Sequence, residues 1–397
     1  MRICIGGKNN VAVNVCEYLL TILPKSQIFA ITNRNDDGED NYQRSFLKYV
    51  KNNGITLVTL PDIYEWEDLI FLSLEFDRII CPEKFRSKKL FNIHFSLLPA
   101  YKGVFTSALP ILKGEKYGGV TFHYMDRGID TGDIIDQYRF EIPEDYKAVD
   151  LYLRCIAEGT SLVIKNINNV LIGNIKATPQ PKQGSTYFST DAINYSNLSI
   201  DFKTTAGQID CQIRAFSYRP FQLPKVNDCP IFYTEITNER SVEKPGVILE
   251  DNRDFFRVAS IDYDILLYKD RLEDVLICCR TNNLDGLLDI PHLYRYINEM
   301  EKEHGWTPLI VAAYYNSFDV VKFLVENGAD INTRNYNGTT VIMYAKNGSM
   351  STGGFKTIDY LLENGADPNI RDYMNKNLFD YIDEDMPVYS HVIDYKK

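Results

Sequence analysis

The chain opens Arg2-Ile3-Cys4-Ile5-Gly6-Gly7-Lys8-Asn9-Asn10, continues through an apolar-patterned stretch to Pro24, and resumes as Ile28-Phe29-Ala30-Ile31-Thr32. Residues 2–5 read as a buried strand, 6–10 as a loop, 11–23 as a helix stopped by Pro24, and 28–32 as a second strand. Strand, Gly-rich turn, helix and strand make a βαβ unit, which implies a parallel sheet with right-handed crossovers. The loop is neither G-x-G-x-x-G nor a Walker sequence, so it is not read as a dinucleotide or P-loop site. It can offer N–H groups and the Asn9 amide to a ligand at the strand's carboxyl end, or serve only as a tight turn.

Working outward, a polar loop at 33–40, a helix around 42–53, a strand at 55–58 and an apolar segment at 69–74 continue the α/β alternation. Arg78-Ile79-Ile80 extends that segment toward Cys81-Pro82. A strand at 118–125 pairs with 134–140 as a hairpin, and 148–172 carry one long helical pattern. One Rossmann-like α/β domain with a mostly parallel sheet is therefore expected over 1–204. A helix at 206–216 and short strands at 231–236, 247–249, 256–261 and 265–268 make 205–270 a small β-rich subdomain.

The last third repeats itself. Gly305-Trp306-Thr307-Pro308-Leu309 returns 33 residues later as Gly338-Thr339-Thr340-Val341-Ile342, and Asn327-Gly328-Ala329-Asp330-Ile331-Asn332 returns 37 residues later as Asn364-Gly365-Ala366-Asp367-Pro368-Asn369. The four extra residues fit an insertion in the Gly-rich stretch 348–354. Period and motifs resemble ankyrin repeats, with two clear copies in 304–369 and degenerate caps at 281–303 and 370–385. An α-helical repeat stack is expected over 271–397.

Composition narrows the function classes. A net charge of −11 argues against a primary role on nucleic acid or an anionic membrane, since both need a basic footprint. None of the eight cysteines forms a C-x-x-C pair and no histidine lies at ligand spacing beside them, so no metal site is expected. Scattered thiols, the lack of a signal peptide pattern and the lack of an apolar run of about 18–20 residues point to a cytoplasmic protein.

Chemistry concentrates at Asn92-Ile93-His94-Phe95-Ser96-Leu97-Leu98-Pro99, answered 36 residues after His94 by Asp130 in Gly128-Ile129-Asp130-Thr131-Gly132-Asp133. Asn92 and His94, two apart on a strand, share a face. A buried Asn-His-Asp trio suits acyl transfer to an amine: His94 relays the amine proton, the Asn92 amide donates to the oxyanion, and Asp130 steadies the imidazolium or holds a water. Read structurally, Asn92 and Asp130 satisfy turns and His94 is a satisfied core histidine. His123 and Asp133 lie close in sequence and are read as structural.

The whole stretch, N-I-H-F-S-L-L-P-A-Y-K-G followed by G-V-T-F-H-Y-M-D-R-G-I-D-T-G-D-I-I, closely resembles the folate-dependent formyltransferases that act on glycinamide ribonucleotide, methionyl-tRNA or nucleotide-sugar amines. The resemblance implies a catalytic Asn92, His94 and Asp130, with N10-formyltetrahydrofolate as the formyl donor. It also implies that loop backbone holds the pterin, here at Phe76, Asp77, Arg78 and Ile80 and at Asp126 and Gly128. Residues 101–110, 180–187 and 214–224 look most like bacterial sugar N-formyltransferases, some of which carry an ankyrin extension. A dTDP-linked 3- or 4-amino-dideoxyhexose bound for O-antigen is then the implied acceptor. Asn9, Arg44, Tyr101, Lys102 and Thr106 are candidates to hold it, each equally readable as a turn or surface residue. The hairpin near 214–224 is expected to form a homodimer interface, as in related enzymes, or to pack within its subdomain.

Trp306 occupies the variable position before the T-P-L turn, where side chains usually face outward. It is a candidate contact for a protein partner or a second small, flat ligand. The alternative is packing against the preceding cap near Tyr294 or Tyr296. The rival to the enzyme reading is a catalytically inactive scaffold with an ankyrin interaction module.

Overall fold

The computed structural model describes all 397 residues and divides into two compact units, one of Met1–Glu39 with Gln43–Lys269, the other of Asp270–Lys397 with Asp40–Tyr42. In the first unit, β1 (Arg2–Gly7), α1 (Asn9–Ile22) and β2 (Ile28–Thr32) form the βαβ start. The expected loop shrinks to Lys8, because β1 continues through both glycines. Their lack of a side chain is what permits this. A Cβ on Gly7 would stand 2.2 Å from the Leu74 carbonyl oxygen, and one on Gly6 would strike the Phe71 ring.

Next come α2 (Phe46–Asn52), β3 (Thr56–Leu57), α3 (Leu60–Tyr64), β4 (Leu69–Leu74) and β5 (Leu90–His94). The helix expected from 42 starts only at Phe46, where the Ser45 hydroxyl accepts from Lys48 N–H as an N-cap. Residues 78–80 do not extend β4, whose last residue is Leu74; the chain turns away there into the cleft described below. A two-residue β6 (Lys102–Gly103) and α4 (Ala108–Leu112) lead to β7 (Tyr117–Tyr124), β8 (Ile134–Glu141) and the long α5 (Ala148–Ile172), after which β9 (Tyr187–Phe188) pairs with β6.

The main sheet has the order β3-β2-β1-β4-β5-β7-β8. Its first five strands are parallel, and the direction reverses at β7, which runs antiparallel to both β5 and β8. The β4 strand is buried along its whole length and reads as a continuous apolar run, as a strand covered on both faces should. Apolar faces of α1 and α5 close a core that includes Val11, Val15, Leu19, Leu151, Val163 and Ile167.

After α6 (Ala206–Phe216), strands β10 (Lys225–Val226), β11 (Cys229–Ile236), β12 (Ile248–Asp251), β13 (Phe255–Val258) and β14 (Ile265–Lys269) make a five-stranded antiparallel sheet in the order β10-β11-β14-β13-β12. The α6 helix packs its apolar face on it through Ile209 and Ile213. The hairpin expected near 214–224 is not a pair of strands. It is the end of α6 followed by a tight turn closed by a single Tyr218–Gln222 bridge.

The second unit is helical: α7 (Leu272–Arg280), α8 (Leu284–Leu288), α9 (Pro308–Tyr314), α10 (Phe318–Glu326), α11 (Val341–Thr352), α12 (Lys356–Glu363) and α13 (Tyr389–Val392). The recurring N-G-A-D-x-N asparagine has a visible task. Asn332 Oδ1 accepts from Asp367 N–H at 2.8 Å and its amide donates to the Gly365 carbonyl, so each motif is tied to the next. Asn298 makes the same pair of bonds to Asp330 and Gly328, which marks a repeat in the segment read above as a degenerate cap. No helix of the protein is long and apolar enough to cross a membrane.

Candidate active site

Parallel pairing of β4 with β5 sets Ser73 beside Asn92, and antiparallel pairing of β5 with β7 sets Asn92 beside His123 and His94 beside Thr121. Alternation then turns Asn92, His94 and His123 toward one face, where the loop after β7 brings in Asp130. The floor of a cleft of about 610 Å³ is built from these residues.

The hydrogen bonds fix which nitrogen carries each proton. His94 Nε2 lies 2.8 Å from the Tyr101 carbonyl oxygen, which only accepts, so Nε2–H is the donor. The bare Nδ1 of neutral His94 therefore faces Asp130 Oδ2 at 3.5 Å. His123 is arranged in the same way. Its Nδ1–H donates to the Tyr124 carbonyl at 2.7 Å, leaving Nε2 to accept from Asn92 Nδ2 at 3.1 Å. Asn92 Nδ2 also donates to Asp130 Oδ1 at 3.3 Å, and the Gly103 N–H donates to Asp130 Oδ2 at 2.9 Å. Gln180 clamps the turn from below, donating to the carbonyls of Asp130 and Gly132 at 2.8 Å each.

Charge follows from this geometry. Burial holds the His94 imidazole below its ordinary pKa, against the opposing pull of Asp130 and the Tyr101 carbonyl. Burial alone would raise the Asp130 carboxyl. The charge His94 carries when protonated, the neighbouring His123 ring 3.7 Å away and the Gly103 N–H outweigh it and bring it to about 2. A free base thus stands beside a permanent anion. Three residues of the cleft, Glu75, Phe105 and Asp130, hold left-handed backbones at φ 57, 60 and 55, strain of the kind that gathers at working sites.

Residues 67–167 match the formyl transferase family model, and residues 276–372 match a model of three ankyrin copies. An N-formyltransferase from Helicobacter canadensis, solved with folinic acid and dTDP-3-aminofucose, is 44% identical over 68% of this chain and all of that one, with a TM-score of 0.64. The chain belongs to the sugar N-formyltransferases. WlaRD, a sugar 3N-formyl transferase solved with dTDP and 5-N-formyl-THF, is also 44% identical over 68% of this formyltransferase and 97% of its own chain, with a TM-score of 0.63. A curated methionyl-tRNA formyltransferase from Orientia tsutsugamushi is 28% identical over 65% of this chain and 88% of its own length. The one from Clostridium beijerinckii is 32% identical, and this chain spans 57% of it.

Of the residues singled out in sequence, the formyltransferase cleft brings together Asn92, His94, Asp130, Phe76, Asp77, Arg78, Ile80, Asp126, Gly128 and Thr106. Four substrate candidates are placed elsewhere. Arg44 is ion-paired with Glu17 at 2.7 Å and stands over Tyr49, outside the cleft lining. Asn9 spends its amide on Glu75 and Tyr152 rather than in the cleft itself. The Tyr101 hydroxyl donates to Glu115 at 2.6 Å, and that residue serves the site through its carbonyl instead. Lys102 reaches Ser185, while its neighbour Gly103 supplies the N–H to Asp130.

His123, read from sequence as structural, is a direct partner of Asn92. Its signal was the pairing register of two strands, which spacing alone does not give. Glu75 and Lys8 carry no sequence signal as site residues, and Gln180 enters only as part of the 180–187 stretch, without a role of its own. In the second unit, Trp306 is half-buried. It packs forward on Tyr314 and Tyr344, at ring distances of 5.3 and 4.8 Å, rather than back on Tyr294 or Tyr296.

Proposed function

We propose that the protein transfers a formyl group from N10-formyltetrahydrofolate to the 3-amino group of a dTDP-linked 3-amino-dideoxyhexose. The observation that carries this reading is the bare His94 Nδ1 facing ionised Asp130 at the floor of an open cleft. The choice of C3 is supported by the two 44% identical structures, one solved with dTDP-3-aminofucose and the other described as a 3N-formyl transferase. Transfer to a tRNA is disfavoured by the net charge of −11.

Residues 76–80 and 126–130 suit a flat heterocycle with polar edges. Main-chain groups of Ile79 and Ile80 make no hydrogen bond within the protein, and the side chains of Ile79 and Ile129, 79% and 43% exposed, offer apolar faces. The folate, when bound, supplies an activated formyl carbonyl. His94 Nδ1 takes the proton from the attacking amine, Asp130 with the Tyr101 carbonyl steadies the imidazolium, and His94 returns that proton to the donor's nitrogen as the bond between that nitrogen and the formyl carbon breaks. The Asn92 amide keeps one N–H on His123 and exchanges its longer bond, the 3.3 Å one to Asp130, for the carbonyl oxygen as negative charge develops.

Residues 1–204 carry this chemistry in the proposed scheme, with 205–270 as the contact region of a cytoplasmic homodimer and O-antigen sugar synthesis as the setting. The repeats at 271–397 form a contact module for a protein partner or a second small ligand through the half-exposed Trp306. Incubating the enzyme with formyl donor and a panel of dTDP-3-amino and dTDP-4-amino sugars tests the central claim. Product mass should rise by one formyl group, with 3-amino sugars leading in kcat/KM. Turnover of none of them, or preference for a 4-amino sugar, would sink it in whole or in its regiochemistry.

A further inference from the structure

Glu75 lies in the same cleft but takes no part in the bonds around Asp130. Ser73 pairs with Asn92 and Leu74 with Ile93, so Glu75 follows β4 directly at the end of the sheet where His94 closes β5, and both residues line the cleft. Its backbone is left-handed, and its main-chain carbonyl is pinned by the Asn33 amide at 2.8 Å. The carboxylate is fixed through one oxygen only. Oε2 accepts from Asn9 Nδ2 at 3.1 Å and from the Tyr152 hydroxyl at 2.9 Å, and these two donors also bond each other at 2.8 Å.

Oε1 accepts from no protein donor and is left to the cleft, with Lys8 as the nearby positive charge. Burial raises the Glu75 carboxyl, while Lys8, Tyr152 and Asn9 counter it. A strut needs neither the lone acceptor nor the strained backbone that aims it. An acceptor drawn out of water and left half-used is what a polar ligand group completes.

We propose that Glu75 Oε1 is a specificity contact for the acceptor: it takes a hydrogen bond from a hydroxyl or ammonium of the amino hexose and holds the reacting nitrogen at His94 Nδ1. Asn9 and Tyr152 are positioning residues that act through Glu75. The inference rests on the formyl-transfer reading above.

Steady-state kinetics in both substrates, with thermal melts, for wild type, Glu75→Gln and Tyr152→Phe test it. Loss of one charged hydrogen bond should raise KM for the amino-sugar nucleotide about tenfold or more in Glu75→Gln, leaving KM for the formyl donor within about twofold and Tm unchanged or higher. Tyr152→Phe, which keeps Oε1 but loosens it, should move the same KM in the same direction by less. A sugar-nucleotide KM within about twofold of wild type in Glu75→Gln overturns the proposal. So does an equal rise in both KM values with a fallen Tm, the mark of a strut. If wild type formylates no dTDP-amino sugar, the functional reading falls by itself. Calorimetric binding of dTDP-3-amino sugar to wild type and Glu75→Gln still decides the contact: equal affinities, or no binding to wild type, overturn it.

Discussion

His94 presents an unprotonated Nδ1 to Asp130 Oδ2 at 3.5 Å, because its other nitrogen is committed to the Tyr101 carbonyl. A lone pair facing a carboxylate is unfavourable until a proton arrives between them. The arrangement is therefore set for the moment at which an amine gives up its proton.

Asp130→Asn removes the anion that steadies the imidazolium while keeping the shape. Its kcat should fall about 10²–10⁴-fold with KM for the formyl donor little changed, and His94→Ala should lose at least as much. Initial rates at saturating substrate decide this. A near wild-type kcat in either variant refutes the role given to that residue.

Because burial lowers the His94 pKa, the base form persists below the ordinary histidine value. The acid limb of kcat/KM should lie below pH 6.5, with rate lost as pH falls through the folded pKa. Asp130 is the group that pulls this pKa back up, so Asp130→Asn should move the residual acid limb to still lower pH. A limb that stays put or moves upward contradicts the assignment.

Gly132 lies in the turn that delivers Asp130, where a Cβ would stand 1.9 Å from the Tyr124 carbonyl oxygen. Gly132→Ala must shift that turn. A stability loss of about 1–3 kcal/mol, read by denaturant titration, should be joined by a fall in kcat. Unchanged activity would mean that the turn yields without moving Asp130.

Arg44 is engaged by Glu17, away from the cleft. Arg44→Ala should leave KM for the sugar nucleotide within about twofold and change stability by about 1 kcal/mol or less. A large rise in that KM would restore Arg44 to the substrate site.

Trp306→Ala strips one ring from the Trp306–Tyr314–Tyr344 cluster. For a half-buried ring, the repeat unit should lose about 2 kcal/mol in a melt followed by circular dichroism. If stability holds while a partner or ligand is lost, Trp306 is a contact first and a packing residue second.

The βαβ start, the long helix over Ala148–Ile172 and the Asn92–His94 pair were legible because periodicity and short motifs are local properties. The repeat was legible for the same reason, although one of its copies was read as a cap. What escaped depends on long-range pairing. His123 acquires meaning only when β7 lies antiparallel to β5, and Arg44 is spent on a glutamate 27 residues earlier that no window of sequence joins to it. Arg78-Ile79-Ile80 looks in sequence like an extension of the apolar segment 69–74, because an apolar run does not reveal whether it is covered. In the fold Ile79 is open to the cleft.

The reversal of strand direction between β5 and β7 has an evolutionary corollary. Asn92 and His123 are locked by paired backbones, whereas residues 101–106 belong to a long connection secured by the two-residue β6–β9 pair. That connection serves His94 and Asp130 only through backbone groups, the Tyr101 carbonyl and the Gly103 N–H, so its side chains can be exchanged between enzymes while its main-chain path is kept. Diversification of acceptor choice should accordingly fall there, with the reaction centre inherited unchanged.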